Sequence, residues 1–282
     1  MEQAAEWVGE YALVLLAGFL AIMAAATILC WRWIENAGRR FPNLRAFLAR
    51  RVSPTGYLGI YLTIGLGLIL TALFFFFELA EGIWGDVEIA RFDQALAGGL
   101  HRHASPTALR LFFAVTQLGS LPALLALGLV VGLRLMVRRE WLLLAGWAVA
   151  LIGGGLLNLE LKALFRRARP ALPNPFVTES GWSFPSGHAM GALIVYGMLA
   201  YLLLTLFHGK GRRWIVLSTA VTILLIGVSR TYLGVHYFSD VIAGYVAGMA
   251  WLAVCITGTE GARRYRLSSA NSPGSSSSEE ER

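Results

Sequence analysis

Charge is scarce in this sequence. Asp, Glu, Lys and Arg make up 15% of 282 residues against 56% hydrophobic, and the mean hydropathy is +0.61. So little charge over so long a chain excludes a soluble domain and indicates a polytopic membrane protein with one membrane domain. Cysteine is nearly absent. Cys30 and Cys255 lie in apolar segments at no metal-ligand spacing, which excludes a disulfide framework and a zinc site. The basic excess, a net +7, falls in short clusters between apolar runs. Clusters so placed are membrane topology determinants and give no indication of nucleic acid. No internal repeat is present.

Long apolar runs are what the chain has in abundance. Runs of about 20 residues, the length that crosses a bilayer, occur near 11–33, 57–80, 109–136, 141–164, 188–207, 214–232 and 237–258 and predict seven spans. Connections rich in Arg follow the first, third and fifth spans, and Arg263, Arg264 and Arg266 follow the seventh. Basic connections mark the cytoplasmic side. The opening "MEQAAEWVGEY" has three Glu and no Lys or Arg, so the N-terminus is expected outside and the C-terminus inside. The first span is expected to remain as an anchor, because its basic cluster follows its apolar run instead of preceding it. "RRFPNLRAFLARR" spaces Phe41, Leu44, Phe47 and Leu48 helically among arginines, which fits an interfacial helix on anionic lipid or a plain linker. The tail "SSANSPGSSSSEEER" has no apolar periodicity and reads as disordered. The chain thus divides into 1–56, with the first span and basic segment, a membrane domain at 57–260, and a disordered cytoplasmic tail at 261–282.

Three polar clusters emerge on the outer side, where topology does not account for cations. Lys162, Arg166, Arg167 and Arg169 end the fourth span, Ser186 to His188 begin the fifth, and Arg230 to Asp240 form the turn between the sixth and seventh. Lys162, Arg169 and Arg230 match a dianionic phosphate, the guanidinium forks making bidentate bonds to its oxygens. In "FPSGHA", Ser186 suits an N-cap, and the amides of Gly187 and His188 lie at the positive end of a helix. His188 supplies a proton donor beside the anion. His236 and Asp240 are four apart at a helix start, so the carboxylate is expected to reach the ring, fix its tautomer and stabilise the cation formed when the other nitrogen attacks. Asp240, Gly244 and Gly248 form a small-residue face for close helix packing. Asn158 and Glu160, polar within the fourth span, are expected to bond to another helix. Arg166 and Arg167 read as solvated loop residues or as contacts to a second phosphate. His101 and His103 in "LHRHASP" lack the further ligands that a metal site requires.

These clusters resemble the three motifs of the type 2 phosphatidic acid phosphatases. "KALFRRARP" matches K-x(6)-R-P, "PSGH" the second motif, and "SRTYLGVHYFSD" the S-R-x(5)-H-x(3)-D motif, in order and complete. The resemblance covers about 57–258 and implies an all-α polytopic transmembrane helical bundle. Its six-helix phosphatase core would here carry one additional N-terminal transmembrane helix. It further implies that His236 becomes phosphohistidine, that Asp240 orients it, and that His188 is the general acid. Lys162, Arg169, Arg230, Ser186 and Gly187 would cradle the phosphate, with no metal or cofactor.

The expected activity is removal of phosphate from a lipid phosphate or diphosphate at the outer face of a bacterial plasma membrane. A polyprenyl diphosphate carrier is the favoured substrate, because an outward site suits carrier recycling and Arg166 and Arg167 offer contacts to a second phosphate. Phosphatidylglycerol phosphate, phosphatidate and phosphorylated lipid A are compatible. The rivals are a phosphotransferase using the same phosphohistidine and a non-enzymatic lipid transporter, which has no use for His188, His236 and Asp240 together.

Overall fold

A computed structural model of the chain describes residues 2–40, 54–85, 87–207, 209 and 211–270, and the regular structure of these residues is helical. The order is α1 (Glu2–Arg40), α2 (Pro54–Gly85), α3 (Val87–His103), α4 (Pro106–Thr116), a 3-10 turn (Gln117–Gly119), α5 (Leu121–Val137), α6 (Trp141–Phe165), α7 (Gly187–Leu206), α8 (Arg212–Tyr232) and α9 (Phe238–Ala270). Among the described residues six helices are long and apolar enough to cross a membrane, or seven when α4 and α5, bent by 42°, count as one span. The seven predicted spans thus all have a counterpart, but the third is broken. Pro122 explains the break: it has no N–H to donate back and its ring crowds the preceding turn, so it is tolerated near the start of α5 and not inside one continuous helix. The bend leaves Thr116 and Gly119 at the level of the polar clusters.

Helix α7 is the most enclosed element, with Met190 and Met198 fully buried against Trp147 of α6 and Ala243 and Ala247 of α9. Lipid tails are as apolar as leucine, so close packing and not water exclusion holds such helices together. The glycine face of α9 supplies the close approach. A Cβ on Gly244 would lie 2.7 Å from the Ser186 carbonyl oxygen, and one on Gly248 3.2 Å from that of Met190. The Ser186 amide donates to the Asp240 carbonyl at 2.9 Å. The start of α9 is thereby pinned to the start of α7.

Helix α3 was not foreseen, since it is amphipathic and too polar to read as a span. Leu96 and Leu100 of α3 cluster with Phe112, Tyr232, Leu233 and Val235, and Val8, Ala12 and Leu16 of α1 pack on them. The extra N-terminal helix therefore docks on the end of the bundle that carries the α8–α9 turn. At the other end α9 runs to Ala270. Residues 261–270 are helical and not disordered as expected, with Glu260 accepting from Tyr201 (3.1 Å), Arg263 (3.2 Å) and Arg264 (2.5 Å). The basic segment 41–51 and the tail beyond 270 lie outside the described residues.

Candidate active site

Three backbone features gather the clusters. Helix α6 ends at Arg166, whose left-handed conformation (φ 46°) turns the chain into the connection 166–186. Between α8 and α9 the turn tightens at Gly234, where φ is +69° and a side chain would be strained, and the amides of Val235 and His236 fold back onto the Arg230 carbonyl. The α7–α9 seam brings Ser186 and Asp240 together.

His236 is 1% exposed. Its Nε2 stands 3.1 Å from Arg169 Nη1 and its Nδ1 3.2 Å from Ser183 Oγ. A guanidinium only donates, so Nε2 is the acceptor and the ring proton sits on Nδ1, directed to Ser183. The Ser183 hydroxyl donates in turn to Asp240 Oδ2 at 2.5 Å, and the Tyr237 amide donates to the same oxygen at 2.9 Å. This corrects the expectation of direct contact: Asp240 Oδ2 is 3.6 Å from Nδ1, beyond a hydrogen bond, and Ser183 bridges them. Burial holds the His236 pKa down to about 4 despite Asp240, with Arg230 and Arg169 adding to the effect. The ring is neutral at pH 7, its Nε2 lone pair turned toward the cations.

Arg169 and Arg230 flank that nitrogen. Arg169 is held by the carbonyls of Gly181 (3.0 Å), Ser180 (3.3 Å) and Val235 (2.8 Å). Arg230 is 1% exposed and donates to Thr116 Oγ1 at 2.9 Å. Both meet one carboxylate, Glu179, which accepts from Arg230 and lies 3.3 Å from Arg169 Nη1. Burial acts to raise the pKa of Glu179, but Arg230, and after it His188 and Arg169, outweigh it and hold the group below the ordinary carboxylate range. Lys162 reaches the Trp182 carbonyl at 2.5 Å. Ser186 occupies the N-cap position of α7 but makes no capping bond, and among the described residues its buried hydroxyl has no protein partner. The first-turn amides of Gly187 and His188 follow it. The His188 ring adjoins Gly119, at whose position a Cβ would lie 3.2 Å from His188 Cδ2, and it is within electrostatic reach of Arg230, Glu179, His236 and Arg169. All eight predicted site residues are thus brought to one end of the bundle.

His188 also borders an apolar cavity of about 500 Å³ between α5, α6 and α7, lined by Leu125, Leu151, Ile152, Leu159 and Ile194. Leu125, Ile152 and Leu159 are exposed on the outer surface of the bundle, so the cavity faces the lipid side. Asn158 lines it and donates to Met190 Sδ at 3.4 Å, an interhelical bond as expected. Glu160 departs from expectation. It is exposed on α6 and makes no bond to another helix among the described residues.

Arg167 departs further. Neither solvated nor available to a second phosphate, it donates to Asp240 (2.6 Å), Ser239 (2.7 Å) and Asp93 of α3 (2.8 Å). Arg166 is exposed and donates to the Ala163 carbonyl of its own helix at 2.9 Å. Ser183, Glu179, Thr116 and Asp93 were missed because each acts through partners 51 to 146 positions away in sequence. Ser183, three residues before Ser186, carried a faint signal: a small polar residue inside an otherwise apolar approach to a motif.

The sequence profile of the PAP2 superfamily matches residues 141–264. The chain is 33% identical to phosphatidylglycerophosphatase B of Bacillus subtilis (strain 168) over 183 residues, 63% of this chain and 88% of that protein. It is 39% identical to an undecaprenyl-diphosphatase of Sulfolobus acidocaldarius over 72 residues, 26% of this chain and 31% of that one. The crystal structure of a transmembrane PAP2-type phosphatidylglycerolphosphate phosphatase from Bacillus subtilis superposes with a TM-score of 0.60 at 28% identity, covering 73% of this chain and 98% of the other.

Proposed function

The chain belongs to the PAP2 superfamily and is a membrane phosphatase of lipid phosphates, and from that premise we propose that its substrate is a phosphate monoester, phosphatidylglycerol phosphate foremost, cleaved through phosphohistidine at His236. One observation carries this reading: Arg169 and Arg230 close on the single carboxylate of Glu179. Two guanidinium groups that meet on one anionic group are arranged to bind a single phosphoryl group in its place. Of the two arginines that offered contacts to a second phosphate, Arg167 is committed to Asp93 and Asp240, and Arg166 donates to the Ala163 carbonyl of its own helix. The similarity to phosphatidylglycerophosphatase B over most of that protein supports the same substrate, and the match to the undecaprenyl-diphosphatase is much shorter. The cavity beside His188 accommodates a lipid chain while the headgroup meets the cations.

The steps follow from the placement of the groups. The phosphate displaces Glu179 and takes Arg169, Arg230, Lys162, the Ser186 hydroxyl and the first amides of α7. Nε2 attacks phosphorus, the bond to the lipid oxygen breaks, and His188 donates its proton to that oxygen. The imidazolium is stabilised through Ser183 by Asp240. Water then attacks phosphorus and gives a proton to His188 as the P–N bond breaks, releasing phosphate and returning the electron pair to Nε2 of neutral His236. Phosphate release by the purified protein tests the substrate. Phosphatidylglycerol phosphate should give the highest kcat/KM in a panel with phosphatidate and undecaprenyl diphosphate. A diphosphate preferred by about tenfold or more, 1.4 kcal/mol in transition-state binding, would overturn the monoester assignment, and phosphate appearing on an acceptor lipid would indicate a phosphotransferase.

Displacement of Glu179 has its own consequence. Its carboxylate competes with substrate for two guanidinium groups, and a hydrogen bond to a charged group is worth about 1.5–3 kcal/mol. Glu179→Gln should therefore lower the inhibition constant of vanadate about tenfold, measured on p-nitrophenyl phosphate hydrolysis. A higher constant would mean that Glu179 organises the arginines for phosphate instead of competing with it.

A further inference from the structure

Helix α3 delivers a charge that these steps do not use. Asp93 is 1% exposed. Its Oδ1 accepts from the Ser239 amide at 3.1 Å, and its Oδ2 accepts from Arg167 Nη2 at 2.8 Å and from the Ser239 hydroxyl. Arg167 thus lies between two carboxylates, Asp93 and Asp240, its guanidinium 4.4 Å from the centre of the Tyr237 ring. Well-packed apolar residues often serve stability as well as a buried ion cluster does, so stability alone does not account for three such ions. Charge balance does. Arg167 paired with Asp240 alone would neutralise the carboxylate that the reaction needs. With Asp93 present, two carboxylates and one guanidinium leave one net negative charge behind His236.

We propose that Asp93 is a positioning residue of the reaction: by offsetting the charge of Arg167 it keeps a negative field at Asp240, where His236 must accommodate positive charge as Nε2 bonds to phosphorus. The extra N-terminal helix holds Asp93 in place. Its Gly9 meets Gly99 of α3 so closely that a Cβ on Gly9 would lie 2.6 Å from the Gly99 carbonyl carbon. Glu6 pairs with Arg102 and with His103 (3.2 Å) at the end of α3. The span outside the six-helix core therefore braces the helix that supplies the charge.

The inference rests on phosphohistidine formation at His236, and the experiment separates the two. The full-length protein in detergent is mixed with substoichiometric p-nitrophenyl [32P]phosphate, and the rate of alkali-stable phosphohistidine formation is followed. Wild type failing to form it, or His236→Gln still forming it, would sink the mechanism and Asp93 with it. Given phosphohistidine in wild type, Asp93→Asn should slow its formation by about tenfold or more, the effect of one unit of pKa on a charged step. The double variant Asp93→Asn/Arg167→Gln returns the count to one negative charge and should recover most of that loss. A purely structural role is separated by Arg167→Gln, which leaves two carboxylates behind His236: the proposal expects phosphohistidine to form at least as fast as in wild type, whereas a structural role expects slowing like that of Asp93→Asn, because either change leaves buried charge uncompensated; an Arg167→Gln slowed in that way, or a double variant as slow as Asp93→Asn, overturns the proposal. If Asp93→Asn cannot be purified folded, Arg167→Gln and the double variant decide together. A rate within about tenfold of wild type supports the proposal, and a slower one overturns it.

Discussion

Replacing His236 with Ala should reduce turnover of every substrate by at least about 10⁴-fold, the scale on which loss of a nucleophile is felt in groups acting as a unit. Among the described residues, His236 Nε2 is the ring nitrogen placed in hydrogen-bond reach of a cation of the site, 3.1 Å from Arg169 Nη1. Ser183 is turned toward Asp240, and Lys162 toward the Trp182 carbonyl. Activity should persist in EDTA, since each step is assigned to a side chain or to water, and vanadate should inhibit by adopting the five-coordinate geometry of the transferring group. Activity lost in chelator and restored by a divalent ion would remove the mechanism. A pH signature accompanies it. Nε2 attacks only when unprotonated, and burial foremost holds the His236 pKa down to about 4. The rate should therefore hold as pH falls past 6.5, the ordinary histidine value, and be lost only as it falls through about 4. The substrate's own ionisation, near pH 6, has to be measured separately and divided out. An acid limb at 6.5 after that correction would place the nucleophile in a solvated setting that this geometry does not provide.

What the sequence disclosed and what it withheld divide along a physical line. The seven apolar runs report their own solvent, so the spans were legible one by one. His236 and Asp240, four residues apart, and the glycines that continue the α9 face lie on one element, where spacing alone places them together. Residues joined only by tertiary folding were not legible. Asp93 sits on a helix whose exposed face resembles any solvated surface, and its partner Ser239 is 146 positions away. Glu179 lies in a connection without periodicity. Arg167 is the instructive error, since an arginine beside phosphate ligands in a loop invites a second phosphate, and only the return of α3 over the site shows it already doubly paired. The error bears on function, because the diphosphate preference had rested in part on that residue.

The two histidines separate by leaving group. If His188 gives its proton to the departing oxygen, its loss should matter most when that oxygen is strongly basic and least when the oxygen leaves well unprotonated. The alkoxide of phosphatidylglycerol phosphate or phosphatidate is the demanding case, and the phenolate of p-nitrophenyl phosphate the easy one. General acid catalysis contributes about 10² to 10⁴-fold, so His188→Ala should lose about that factor on the lipid monoesters and far less on p-nitrophenyl phosphate. His236→Ala should be equally damaging to both. The comparison requires single-turnover rates, because slow product release would conceal a change in the chemical step. The position of His188 makes the test discriminating. Its ring borders the apolar cavity and lies within electrostatic reach of Arg230 and Glu179, a placement that the proposed proton transfer to a lipid oxygen requires. Equal slowing of every substrate by His188→Ala would instead assign it to phosphate binding at the start of α7, and the proton would then have to come from another group.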